Sequence, residues 1–190
     1  MFRAIALIVV LAVIFGAVYL TARPESTPAI GENEPDTPVQ RLYDNATLGV
    51  RFSYPGYYVL SEREVGNGER SHYSIVLIDK TAAANIPTAG EGPPAITIDI
   101  FGNGIDKLPL KKWITDTSAS NYKLALVDDL ATSTVAEESA YSYTWDGLYR
   151  GESIVLAHGS NIVMLSVTYI DPAEVIRKDF SELIGTVRLQ

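Results

Sequence analysis

The sequence predicts an α+β fold: a mostly antiparallel sheet flanked by two helices and preceded by one N-terminal transmembrane helix. Three observations lead there. Between Val50 and Ile170 the chain runs in short alternating apolar and polar stretches broken by turn dipeptides, the period of half-buried strands. Two stretches, one around Trp113 and one from Val175 to Ile184, carry apolar residues at helical spacing instead. And Ala4 to Leu20 is a run of seventeen uncharged, largely apolar residues behind a single Arg3.

Taken as a helix, Ala4–Leu20 is about 26 Å long, close to the roughly 30 Å hydrocarbon core of a bilayer. A cleavable signal would place small residues at alternate positions before the cut, but the best site, Leu20-Thr21-Ala22, has leucine where a small side chain is wanted. Tyr19 stands where an interfacial aromatic would, and Arg23 closes the far end. The reading is a retained anchor over residues 1–22, which makes the membrane a partner through Ala4–Leu20. Glu25, Glu32, Glu34 and Asp36 leave no cationic cluster beyond it, so the amino terminus faces the cytoplasm and the rest lies outside. Residues 23–40, with four prolines and four acids, cannot bury enough apolar surface to fold and form a disordered linker. A single domain fills residues 41–190.

Within that domain, Val50 to Tyr54 reads as a strand, Pro55-Gly56 as a turn, and a second strand starts at Tyr57. Asn67-Gly68 is the strongest hairpin signal and leads into "HYSIVLID", apolar on both faces as a central strand would be. "TAAANIPTAGEGPP" follows as a long loop with prolines. In "AITIDIF", Ile96, Ile98 and Ile100 share one face and Thr97, Asp99 and Phe101 the other, where an acid on a solvated face needs no special role.

Leu110, Trp113 and Ile114 after Pro109 mark an amphipathic helix ending among Thr117 to Asn121. "SAYSYTW", "LYRGESIVLA" and "IVMLSVTYI", separated by Asp146-Gly147 and His158-Gly159, form a three-stranded meander. Asp171 caps a second helix, with Pro172 in its first turn and Glu174 reaching back. Val175, Ile176, Phe180, Leu183 and Ile184 form its apolar face, Gly185 stops it, and "TVRLQ" makes a short last strand.

Composition excludes several functions. With no cysteine there is no disulfide, thiolate metal site or cysteine nucleophile. The formal charge of −8 is spread along the chain and no basic stripe is present, which argues against nucleic acid. His72 and His158, the two histidines, are more than eighty residues apart and come without a spaced carboxylate cluster, so no metal or other cofactor is expected. Asp128-Asp129 and Glu137-Glu138 point to opposite faces if extended.

The binding candidates are aromatic. Tyr141, Tyr143 and Trp145 alternate on one strand face, with Tyr149 across the Asp146-Gly147 turn, and such rings offer large contact area at small entropic cost. The competing reading is ordinary core beneath the Trp113 helix. Tyr57-Tyr58 and the proline-rich loop near Pro93-Pro94 are further rim candidates.

Phe52-Ser53-Tyr54-Pro55 with Tyr58, the Leu110-x-x-Trp113 helix, the aromatic hairpin about thirty residues later, and Phe180-x-x-Leu183-Ile184-x-Thr186-Val187 together resemble the PsbP-like family, over roughly Leu48 to Gln190. That family comprises the extrinsic photosystem II subunit and membrane-anchored bacterial relatives. The resemblance implies an antiparallel sheet flanked by helices and a non-enzymatic binding or assembly role outside a membrane. The leader departs from it, lacking the Arg and Ser richness of a transit peptide, so a photosynthetic role does not carry over. No ligand-binding residue of the family is matched.

The expected function is therefore a membrane-tethered extracytoplasmic module that binds a protein or glycan ligand without catalysis. The alternatives are a secreted form of the same module and a hydrolase using dispersed acids such as Asp79 and Asp99, which would have to converge in one pocket.

Overall fold

The structure is a computed structural model and describes residues 39–66, 70–88 and 91–190. The apolar stretch Ala4–Leu20, nearly all of the spacer, and the Asn67-Gly68 turn lie outside the described residues. Among the described residues, no helix is long and apolar enough to cross a membrane.

The described residues form two antiparallel sheets. The smaller joins β1 (Gln40–Asn45), β2 (Val50–Pro55) and β10 (Arg188–Leu189) in the order β1-β2-β10. The larger has seven strands in the order β3-β4-β5-β9-β8-β7-β6. They are β3 (Tyr58–Glu64), β4 (His72–Asp79), β5 (Ile96–Gly102), β6 (Ala131–Val135), β7 (Glu138–Asp146), β8 (Arg150–His158) and β9 (Asn161–Tyr169). Three α-helices accompany them among the described residues: α1 (Lys80–Ala84), α2 (Leu110–Asp116) and α3 (Val175–Thr186). The class is α+β with antiparallel sheets, as the alternating patterns predict.

The chain changes sheets at Pro55-Gly56. The Gly56 amide donates to Val39 O at 2.7 Å, and a Cβ there would lie 2.7 Å from that same oxygen, so only glycine lets the chain fold back this closely. The expected meander is four strands long, because β6 pairs with β7 ahead of it. Between β5 and β6 the chain runs over one face of the large sheet as α2 and then a 3₁₀ turn, Tyr122–Leu124, and re-enters at the far edge.

This route gives the sheet two cores. On one face Ile75, Leu77, Ile96, Ile98, Leu156, Val163 and Leu165 pack with Phe180 and Leu183 of α3 and with Val50 and Phe52 of the small sheet. On the other, Trp113 and Ile114 of α2 pack with Tyr143, Trp145, Val155, Ile162 and Met164. Each fully buried aliphatic or aromatic side chain contributes about 1.5–3 kcal/mol of transfer free energy.

Several local expectations need correction. The Thr81–Pro94 stretch is not all loop: α1 occupies its start, with Asp79 Oδ1 accepting from the Thr81 and Ala82 amides at 2.8 and 3.2 Å. The second helix begins at Val175, not at Asp171. Glu174 has extended backbone angles that separate the helix from a preceding turn, in which Glu174 Oε1 accepts from the Asp171 amide and Asp171 Oδ1 from the Ala173 amide. Gly185 does not stop that helix, which continues to Thr186. Thr186 Oγ1 donates to Leu183 O and accepts from the Ser53 amide at 2.9 Å, riveting the helix end to β2. Val175 is mostly exposed, whereas Asp179 is buried on the helix's inner face. The β5 face bearing Asp99 is covered rather than solvated: Asp99 is 8% exposed, and its neighbour Phe101 lies against Trp113.

Candidate functional site

The aromatic strand is the first candidate, and period 2 does set Tyr141, Tyr143 and Trp145 on one face of β7. Tyr143 is 6% exposed and Trp145 8%, both inside the core beneath α2, while Tyr141 is half-buried at its margin. The polar atoms of Tyr143 and Trp145 are satisfied internally. The Tyr143 hydroxyl donates to Ser120 O, and its ring meets Tyr122 edge-on at 5.1 Å. Trp145 Nε1 donates to Ser153 Oγ at 3.0 Å, which in turn is 2.8 Å from Ser166 Oγ. The indole also lies flat on Gly151, where a Cβ would come within 2.2 Å of it. Tyr149 is half-buried, and its hydroxyl donates to Gly92 O at 2.9 Å, pinning the loop that precedes β5.

A histidine–carboxylate pair is the second. His72 Nε2 is 2.8 Å from Asp99 Oδ1, and the imidazole stacks on Phe101 at 4.1 Å between ring centroids. A dyad of this kind would orient a base, but among the described residues no hydroxyl is hydrogen-bonded to His72 to serve as nucleophile. Nor does Asp79 join it. Asp99 is paired in register with Ser74, five positions from Asp79 along β4, which separates the two acids by about 16 Å and sets them on opposite faces. His158 sits near β10, with Nε2 3.1 Å from Gln190 O and Nδ1 3.5 Å from Glu138. Asp128 accepts from the Tyr122 hydroxyl at 2.7 Å, and Glu137 lies in the β6–β7 turn at a φ of 69°. Among the described residues no group of three or more His, Asp or Glu side chains is placed to hold a metal ion.

The third candidate is a cavity of about 320 Å³ between α1, the start of β3, Pro94 and α3. It brings together Tyr57, Tyr58 and Pro94, which the sequence marks as separate rim candidates. The Tyr57 and Tyr58 hydroxyls both donate to Asp179 Oδ2, at 2.6 and 2.7 Å, with the two rings 5.0 Å apart. Asp179 is 4% exposed. Burial first, and then the hydrogen bond to Asp179, push both tyrosine hydroxyls well above their ordinary pKa, so they remain proton donors at any physiological pH. Asp79 and Glu174 stand on the rim with Ala82, Val175 and Ile176. The volume is at the small end of the range typical of ligand sites.

Local sequence explains this arrangement. Adjacent strand residues would point to opposite faces, but Tyr57 precedes β3 and belongs to the turn, so its ring is free to join that of Tyr58. The Tyr57 carbonyl accepts from the Lys80 amide at 3.0 Å, which seats α1 beside the pair. Asp179 was missed as a site residue. Its position, i+3 from Ile176 and i−4 from Leu183, puts it on the apolar stripe of its helix, and that spacing was the available signal.

No family model matches the sequence, and no curated protein matches it. Among solved structures, the fold is similar to the solution structure of cyanobacterial PsbP (CyanoP) from Synechocystis sp. PCC 6803, with a TM-score of 0.51 and 11% identity, over 80% of this chain and 92% of that one. A crystal structure from Bacteroides thetaiotaomicron VPI-5482 is similar with a TM-score of 0.45 and 13% identity, over 80% of this chain and 48% of that one, so the chain spans about half the length of that protein. The fold is PsbP-like, in agreement with the resemblance carried by the Phe52–Tyr58, Leu110–Trp113 and Phe180–Val187 segments.

Proposed function

We propose that this chain is a membrane-tethered extracytoplasmic binding or assembly module that carries out no catalysis. The observation that carries the reading is the cavity between α1 and α3: a preformed concavity walled by two tyrosines whose hydroxyls are fixed on a buried carboxylate. It is a site built to hold a ligand, with no nucleophile and base arranged to transform one. Tyr143 and Trp145 are buried in the core, and the half-buried Tyr141 and Tyr149 remain as aromatic edges for a protein or glycan. The tether and the placement rest on the Ala4–Leu20 stretch and the acidic, proline-rich spacer after it. The hydrolase reading has less support, because Asp79 caps α1 while Asp99 pairs with His72 on the other face of the sheet.

Cell fractionation combined with protease treatment of intact cells tests the placement. The full chain should pellet with membranes, resist extraction at alkaline pH, and lose its folded domain to protease added outside. A soluble mature chain beginning near Arg23 would favour the secreted form. A domain cut only after lysis would overturn the extracytoplasmic placement.

A further inference from the structure

We infer that the cavity between α1 and α3 takes a single ammonium group carried on an apolar stem, an alkylamine or a lysine side chain. This rests on reading the domain as a binding module and names the ligand class of that same site.

Charge is the first ground. Asp79, Glu174 and Asp179 all line the cavity, and among the described residues its lining includes no lysine, arginine or histidine. Charged side chains as buried as Asp179 are normally paired with an opposite charge, yet its hydrogen bonds come from two neutral phenols, both on Oδ2. The cations of the same helix are committed elsewhere, Arg177 to Glu152 and Lys178 to Glu182. The counter-charge that this carboxylate calls for is therefore one that a ligand would bring.

Hydrogen-bond direction is the second ground. Asp179 takes the phenolic protons of Tyr57 and Tyr58, which leaves the lone pairs of both oxygens as acceptors, polarised by the carboxylate behind them. Asp79 and Glu174 each use one oxygen on backbone amides, Oδ1 and Oε1 respectively, and Asp79 Oδ2 and Glu174 Oε2 accept no hydrogen bond among the described residues. The polar surface thus offers acceptors and no side-chain donor that is not already in use. An ammonium group has three donors and no acceptor, so it complements this set, whereas an anion would meet only repulsion.

The walls are the third ground. Ala82, Pro94, Val175 and Ile176 give the cavity an apolar side fit for a short aliphatic stem, and the paired tyrosine rings supply π-faces of the kind that attract cations. A sugar hydroxyl would bring one donor and no charge to these acceptors, where an ammonium brings three donors and the missing positive charge, and the volume admits one small group or one side chain.

Isothermal titration of the full-length chain in non-ionic detergent, at fixed ionic strength, tests the inference. Butylammonium is the charged probe and 1-butanol its neutral counterpart; Nα-acetyl-lysine methylamide and its Nε-acetylated form repeat the comparison for a lysine side chain. Each cation should saturate one site, with the neutral partner at least tenfold weaker. Tighter binding by the lysine derivative would point to a protein partner, and tighter binding by butylammonium to a free amine; either supports the inference. Asp79→Asn combined with Glu174→Gln removes two rim charges while keeping the oxygens that cap the backbone, and should weaken the cations three- to tenfold and leave 1-butanol unchanged. Asp179→Asn should weaken them further, with circular dichroism reporting whether the fold persists. Equal binding of charged and neutral probes would overturn the inference, as would failure of butylammonium to saturate at tens of millimolar or an unchanged affinity in the rim double variant. Loss of the ligand class in this way leaves the tether untouched, since fractionation reads that separately.

Discussion

Tyr143 and Trp145 show what alternation reveals and what it leaves open. Period 2 assigns Tyr141, Tyr143 and Trp145 to a common face, but whether that face meets solvent depends on the α2 crossover, whose landing place is a tertiary fact. The sequence therefore supported both a binding face and a core. Burial pushes the Tyr143 hydroxyl up to about 12 from its usual 10. The folded chain then keeps a proton between those values that the unfolded chain gives up, so stability is constant on this account below about pH 10 and falls as pH rises toward 12. Urea unfolding at successive alkaline pH values should show a decline of about 1.4 kcal/mol per pH unit from Tyr143 alone, steeper if Tyr57 and Tyr58 add to it. Tyr143→Phe should flatten the Tyr143 part of that decline; an identical profile in the variant would mean that other groups cause it.

Among the elements, those with a strong apolar period were readable and those held by partners were not. β5 and α2 follow from Ile96, Ile98 and Ile100 and from Leu110, Trp113 and Ile114. β1 and β6, with the sequences QRLYDN and ATSTV, bury little and owe their strand form to pairing with β2 and β7. α1, only five residues long, is too short for a helical period to be visible, and its one local cue was Asp79 in front of Thr81 and Ala82. Asp79→Ala should accordingly cost about 1 kcal/mol of local stability. Hydrogen exchange would show it as faster exchange at the Thr81 and Ala82 amides with little change in the β9 core, and protection unchanged at those two amides would rule the cap out as the source of α1's order.

For the whole molecule, the shared sheet decides how it comes apart. The two cores are back to back on the same strands, β5, β9 and β8, so neither can lose its floor while the other keeps it. Both tryptophans lie in the α2 core, which makes their fluorescence a probe of one face, whereas far-ultraviolet circular dichroism reads both. The two signals should trace a single denaturant transition with one midpoint, and separate midpoints would mean that the α2 layer peels off independently.

The short strand β10 bears on how such a domain is made. Arg51 and Val50 pair on one edge with residues just upstream and on the other with Arg188 and Leu189, which lie more than 130 residues further along the chain. A nascent chain growing from its amino end can lay down the large sheet progressively, but it leaves one side of β2 unzipped until translation has passed Leu189. During that interval an open backbone edge is on offer to other polypeptides, and a chaperone or an early docking of α3 through Thr186 and Ser53 would be the natural guard against mispairing.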